Sequence, residues 1–307
     1  MHFIDLQVNG YAGVDFNDDG LSVEMLHRAC QALQEDGVDG ILATVITDTL
    51  PALHRRLARL AELRDADPLA CDLILGIHLE GPFLSDDPGY AGAHPTTAVR
   101  QADEHTMKSL LDAARGLIRL VTLAPERDPR ATVTRMLADR GILVAAGHCS
   151  CSRDELHAAI DNGLKLFTHF GNGCPTVLPR HDNILQRALS LRDRLIFTMI
   201  ADGVHIPTFA LKNYLDAIGV ERTIFVTDAI AAARLGPGEY RLGSQTVHVG
   251  QDLVARASQG DHLMGSTATM PRMAALLRCE LALSDPQIES MTHIQPRNLL
   301  ASPGSAS

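Results

Sequence analysis

The 307-residue chain has no Trp, only four Tyr and eight Phe, so its core must rest on Leu, Ile, Val, Ala and Met. Lysine is nearly absent as well: Lys108, Lys165 and Lys212 are the full set. With no basic run and a formal net charge of −10, the composition argues against a nucleic-acid partner or an anionic-membrane surface. A Schiff-base mechanism needs a lysine at the reactive end of a strand, and none of the three stands at such a position. No apolar stretch approaches the ~18 residues of a membrane span. Six cysteines (Cys30, Cys71, Cys149, Cys151, Cys174, Cys279) are scattered without the spacing of a disulfide framework. Cys149-Ser150-Cys151 also lacks the CxxC spacing of a redox or zinc pair, which fits a reducing compartment. Met1–Asp5 reads as a strand and carries no charged leader, so the expectation is a soluble, cytoplasmic protein with no membrane contact.

The 46% apolar content is arranged in short β-rich runs alternating with amphipathic stretches, the pattern of repeated strand–helix units. The strands expected are Phe3–Val8, Gly40–Ile46, Leu73–Leu79, Ile118–Leu123, Ile142–Gly147, Leu164–Thr168, Leu195–Ala201 and Arg222–Thr227. Helical patterns fall at Ser22–Glu35, Ala52–Arg64, Glu104–Ala114, Arg130–Arg140 and Pro207–Ile218. Ser152–Glu155 forms a capping box that opens a further helix. Eight nearly continuous apolar strands imply an α/β fold, a parallel (β/α)8 barrel of TIM type. After the eighth strand, Gly236–Asp261 reads as a polar β-hairpin insertion. Helices follow from Thr267 to Leu283 and from Pro286 onward. The expected organisation is one domain over residues 1–301 with a disordered tail at 302–307.

Five of the strands end in a residue suited to hydrolysis: Glu80, His148, His169, His205 and Asp228. In a (β/α)8 barrel these ends gather on one face, where such enzymes carry out their chemistry. Glu80, His148 and His169 form a His/His/carboxylate set of the kind that binds a catalytic divalent ion and leaves one position open. A single strand-end His is ordinarily a structural residue, but three such residues converging on one face outweigh that reading. Asp228 could act as general base and then as acid beside such an ion, or could simply cap a helix. His205, in Asp202-Gly203-Val204-His205, could donate to a substrate, and His94 in Gly92-Ala93-His94 could lie over the site. His78 could support Glu80 from the same strand face or be a core histidine.

In order along the chain stand Asp5–Gly10, His78–Pro82, Gly92–His94, Thr122–Glu126, Ala146–His148, Thr168–Pro175, Ala201–His205, Val226–Ala229 and Leu263–Ser266. Together they resemble the amidohydrolase superfamily, and within it the N-acetylglucosamine-6-phosphate deacetylase family. The resemblance implies that Glu80, His148 and His169 bind one divalent metal and that Asp228 is the catalytic acid/base. It implies a substrate pocket lined by Ala93, His94, Asn172, Gly173, Asp202, Gly203, Val204, His205, Leu263, Met264 and Gly265. Arg180 falls where the family has a phosphate-binding arginine that can reach a neighbouring subunit, so a homodimer is expected. The surrounding Leu178–Asn183 segment differs from the family's usual context: His181 would favour an anion and Asp182 would oppose one.

Many superfamily members carry His-x-His on the first strand and a carboxylated lysine on the fourth, which together hold a second ion. Here Gln7 and Asn9 occupy the first-strand positions, and Ile118–Glu126 contains no lysine. One metal is therefore expected, zinc by default with iron as the alternative. Family members also carry a small β-sandwich flanking the barrel; its segments are missing at both ends of this sequence, so a barrel-only variant is expected. The implied reaction removes the acetyl group from an amino sugar, N-acetylglucosamine 6-phosphate first among candidates. The rivals are another N-acyl amino sugar or small amide cleaved by the same mechanism, and a non-catalytic barrel protein.

Overall fold

The computed structural model describes residues 1–258 and 262–301. Eight strands, β1 (Phe3–Val8), β2 (Val38–Ile46), β3 (Ile74–Glu80), β4 (Ile118–Leu123), β5 (Leu143–Ala146), β6 (Leu166–Phe167), β7 (Ile196–Met199) and β8 (Thr223–Phe225), pair in chain order. Every pairing is parallel. Helices follow the strands and cover the outside, so both faces of the sheet are buried, and the strands are accordingly almost wholly apolar. The result is a nearly closed (β/α)8 barrel, as the alternating pattern implied.

The seam between β8 and β1 is closed partly by a side chain. Val8 bridges Ala229, and the Asn9 amide donates to the Ala229 carbonyl at 2.7 Å. Deeper in the seam the Asp5 carboxylate takes the place of a ladder, accepting from the Thr227 amide at 3.2 Å and from the Thr227 hydroxyl at 2.5 Å. Asp5 is fully buried, and burial pushes its carboxyl up to about 7.

Inside the barrel, chemistry is layered along the strands. Ile4, Leu6, Leu42, Leu120, Ala145, Leu166, Ile224 and Val226 form an apolar plug at the end where the strands begin, closed by Leu299 and Leu300 of the last helix. Each of the buried Leu, Ile and Val side chains contributes roughly 1.5–3 kcal/mol. Toward the opposite end the buried residues become polar, including Thr44, Thr122, Thr168, Thr198 and Thr227. That layer is the floor on which the strand-end residues stand.

Local signals explain most helix starts. Ser22 caps Val23–Glu35 by accepting from the Met25 amide at 3.3 Å. The Ser152–Glu155 capping box opens Arg153–Asp161. The expected helix Arg130–Arg140 is shorter, Thr132–Ala138, and is preceded by two tight turns. The reason is local: Arg130 and Ala131 are left-handed, at φ 60° and 51°, and the buried Asp128 carboxylate accepts from the Val133 and Thr134 amides. Pro207 stands just before its helix, Thr208–Ile218, instead of in the first turn. Two short helices, Pro68–Leu73 and Ile184–Leu189, were not foreseen.

The insertion after β8 is a three-stranded antiparallel sheet, not a two-stranded hairpin: β9 (Gly238–Leu242), β10 (Gln245–Val249) and β11 (Ala255–Ala257). Its inner side chains, Leu242, Val247, Val249 and Ala255, pack on Ile46, Ile230, Ala232 and Met264, which fixes it beside the barrel mouth. Residues 259–261 of the expected insertion and the expected tail at 302–307 lie outside the described residues. The final helices run Met270–Glu280 and then from Asp285 to Ala301, the latter through a wide π turn at Ser290–Ile294.

Candidate functional site

Glu80 is the last residue of β3, and His148, His169 and Asp228 follow the ends of β5, β6 and β8. The latter three adopt left-handed backbone conformations, at φ 49°, 31° and 51°. Such a backbone costs a non-glycine residue roughly 1–2 kcal/mol. It turns each side chain out of the pleat and across the barrel mouth, where strain of this kind commonly accompanies function.

The turned side chains converge. His169 Nε2 lies 3.0 Å from Glu80 Oε1 and 3.0 Å from His148 Nε2, and His148 Nε2 is 3.5 Å from the same carboxylate oxygen. Ligands arranged tetrahedrally at roughly 2.0–2.1 Å around one ion stand about 3.3 Å apart. The three atoms are therefore spaced for a divalent cation. The donor chemistry agrees: His148 Nδ1 donates to the Tyr90 carbonyl at 2.8 Å, which leaves the Nε2 lone pair facing inward. Gly173 and Gly92 press on the same ring. A Cβ on Gly173, itself at φ 63°, would stand 2.9 Å from His148 Nδ1, and one on Gly92 would stand 3.1 Å from Cε1.

Electrostatics sharpen the site. Glu80 is buried, but the neighbouring His148, His169 and His94 rings hold its carboxyl well below the usual carboxylate range against that burial. Asp228 is pushed up to about 6, by burial first and then by the Glu80 charge, with His169, His205 and Asn9 opposing. His94 is closer than a lining residue: its Nε2 is 3.2 Å from His148 Nε2 and 3.7 Å from Glu80 Oε2. Burial and the neighbouring His148 push His94 down to about 3.

Gln7 and Asn9, which the sequence offered only as missing metal ligands, have a definite place. Asn9 Nδ2 donates to Asp228 Oδ1 at 2.7 Å, and Gln7 Nε2 donates to the same oxygen at 3.2 Å and to Glu80 Oε1 at 3.1 Å. Their spacing of two at the end of β1, Gln7 within it and Asn9 just past it, was the available signal. His78 belongs to the core: buried and pushed down to about 4, it bonds Thr122 at 2.8 Å, which in turn bonds Thr168 at 2.7 Å.

Above the cluster opens a cavity of about 460 Å³. Of the residues expected in its wall, Ala93, His94, Asn172, Gly173, His205, Leu263 and Gly265 line it. Asp202, Gly203, Val204, Met264 and Arg180 do not. Asp202 instead grips His205, accepting at 2.7 Å from Nδ1 and at 2.8 Å from the backbone amide. Met264 is buried in the apolar contact behind the wall, and Arg180 is exposed on the loop after β6. Leu178, Leu185, Leu242 and His262 also line the cavity. Leu178 and His262 come from irregular segments, Leu185 from the short helix Ile184–Leu189 and Leu242 from the inserted sheet.

No protein-family model matches the chain. Among curated proteins, the N-acetylglucosamine-6-phosphate deacetylase of Bacillus subtilis is 34% identical over 278 residues, spanning 90% of this chain and 68% of that protein. The human protein of the same name is 34% identical over 280 residues, 87% of this chain and 66% of the relative. The N-acetylgalactosamine-6-phosphate deacetylase of Escherichia coli O157:H7 is 30% identical over 269 residues, 87% and 69% respectively. The chain thus spans about two thirds of these relatives' length. Among solved structures, a mutant N-acetyl-D-glucosamine-6-phosphate deacetylase from Mycobacterium smegmatis in complex with N-acetyl-D-glucosamine-6-phosphate superposes with a TM-score of 0.89 at 31% identity. That match covers 98% of this chain and 77% of the other. The Thermotoga maritima enzyme gives 0.85 at 26% identity, covering 97% and 77%.

Proposed function

Because the chain belongs to the N-acetylglucosamine-6-phosphate deacetylase family, we propose that it hydrolyses the N-acetyl group of N-acetylglucosamine 6-phosphate, giving acetate and glucosamine 6-phosphate. The supporting observation is the convergence of Glu80, His148, His169 and Asp228 on one cavity at the barrel mouth. The three donors of the cluster would hold a single divalent ion, zinc by default and iron as the alternative. When bound, that ion polarises the acetyl carbonyl and lowers the pKa of water toward ~7.

The chain's own residues handle the protons. Asn9 and Gln7 occupy Asp228 Oδ1, which leaves Oδ2 free to take a proton from the attacking water. A base poised near pH 6 is ionised at neutral pH yet able to give the proton back. Asp228 then delivers it to the sugar nitrogen as the C–N bond breaks, so the amine leaves neutral and the acetic acid that remains ionises to acetate, its proton passing to solvent. Asp202 fixes the His205 ring through Nδ1, leaving Nε2 for a substrate oxygen. His94, Ala93, Asn172, Gly173, Leu263 and Gly265 shape the space for the sugar and acetyl groups. Arg180 stands outside its own chain's cavity, so as a phosphate ligand it acts on the neighbouring subunit of a homodimer. A small phosphorylated sugar as substrate fits a cytoplasmic location.

The test is acetate release from N-acetylglucosamine and N-acetylgalactosamine, each with and without 6-phosphate, on protein of measured metal content. The proposal expects the phosphorylated glucosamine derivative to be turned over fastest. Turnover of unphosphorylated sugars alone would overturn the phosphate assignment and the role of Arg180, and no acetate from any of them would overturn the reaction.

A further inference from the structure

A second group of metal-ligating side chains stands outside the catalytic cluster. Glu126 lies in the tight turn Pro125–Arg127 that follows β4, and Cys149 and Cys151 lie in the loop that follows β5. A carboxylate oxygen and the two sulfurs fall within 4.8 Å of one another, and both thiols are 1% exposed. The intervening Ser150 fixes the carboxylate: its amide donates to Glu126 Oε1 at 2.6 Å, while its hydroxyl is shared between Asp87 Oδ2 at 2.6 Å and Glu126 Oε1 at 3.1 Å. The other oxygen, Oε2, is buried without a hydrogen-bond partner among the described residues. Glu126 also has no ion-pair partner among them, since nearby Arg127 pairs with Asp86 and Arg187 with Asp182. Burial pushes the Glu126 carboxyl up from its ordinary value against the hydrogen bonds from Ser150.

Burying a carboxylate oxygen beside two sulfurs is costly unless a proton or a metal cation joins them. A cation that favours thiolate ligands meets that need, with the two thiol protons passing to solvent on binding. We propose that Glu126, Cys149 and Cys151 form a second, structural site for a thiophilic divalent ion of the zinc and cadmium class. It is separate from the catalytic cluster and independent of the proposed reaction. Because Cys149 directly follows His148, an ion there would tie the loop after β5 to the turn after β4, and so brace the histidine.

Titrating the reduced, full-length protein with Cd²⁺ reads the site directly, through the ultraviolet thiolate-to-cadmium charge-transfer band. The wild-type protein is expected to bind about two equivalents per chain, one of them developing the band. The double variant Cys149→Ser/Cys151→Ser should bind one equivalent without the band. Glu80→Gln should lose the other equivalent and keep the band, which separates failure of this site from failure of the catalytic one. Glu126→Gln should weaken the band-forming equivalent at least about tenfold. Absence of the band in the wild type, or its survival in the double cysteine variant, would overturn the proposal. The wild-type readout stands even if a variant folds poorly.

Discussion

Replacing Asp5 with Asn should change how stability depends on pH, because this buried carboxyl closes the barrel seam. In the folded protein it titrates at about 7, against an ordinary value of 3.8, with burial as the leading cause. A raised carboxyl pKa means that the folded state holds the proton more tightly than the unfolded chain does. Its contribution is therefore fully present below the unfolded value and is lost as pH rises through the folded one. At about 1.4 kcal/mol per unit, a displacement of roughly three units makes wild type about 4 kcal/mol less stable at pH 8 than at pH 4 from this group alone. The amide of the D5N variant keeps an acceptor oxygen for the Thr227 amide and can donate to the Thr227 hydroxyl, which has the Gln7 carbonyl at 3.4 Å as its own acceptor. The seam should survive and the pH dependence should not. Urea unfolding of both proteins from pH 5 to 8 measures the difference. D5N should match wild type within about 1 kcal/mol near pH 5 and exceed it by about 2–4 kcal/mol at pH 8. Parallel curves across that range would refute the reasoning.

Other expected outcomes follow from the same geometry. Gly173→Ala combines a left-handed backbone with a Cβ 2.9 Å from the His148 ring; it should cost roughly 1–2 kcal/mol of stability and lower metal occupancy, read by thermal unfolding and metal analysis. Asn9→Ala removes the 2.7 Å hydrogen bond to Asp228 and should lower kcat about tenfold with bound metal retained, as expected for an orienting bond of about 1.4 kcal/mol. Dialysis against a chelator should abolish acetate release and lower Tm, since the metal binds only the folded site, and zinc should restore both.

The fold was largely legible because a buried parallel strand is written as a short apolar run, and β1 and β4 begin and end where those runs do. The β6 ladder is shorter than the run Leu164–Thr168 because its end bends toward His169. Strand-end position and residue type together also made Glu80, His148, His169 and Asp228 recognisable. What sequence could not supply was direction. The left-handed backbone at three of these residues is imposed by tertiary packing. The grip of Gln7 and Asn9 on Asp228 joins residues more than two hundred positions apart. The cavity wall draws on the sheet β9–β11 and on His262, where no periodicity exists to read, and β11 was missed because three residues cannot show an alternation. Asp202 was read as lining the pocket, whereas its side chain serves His205 from behind the wall.

The central claim is that a His/His/carboxylate metal cluster and Asp228 act together in amide hydrolysis. Acetate release from N-acetylglucosamine 6-phosphate by zinc-loaded wild type and by zinc-loaded Asp228→Asn, at equal measured metal content, tests it most directly. The account predicts full metal occupancy in both proteins and a rate in the variant lower by about 10²–10⁴-fold. Near-wild-type acetate release by the metal-loaded variant would contradict it.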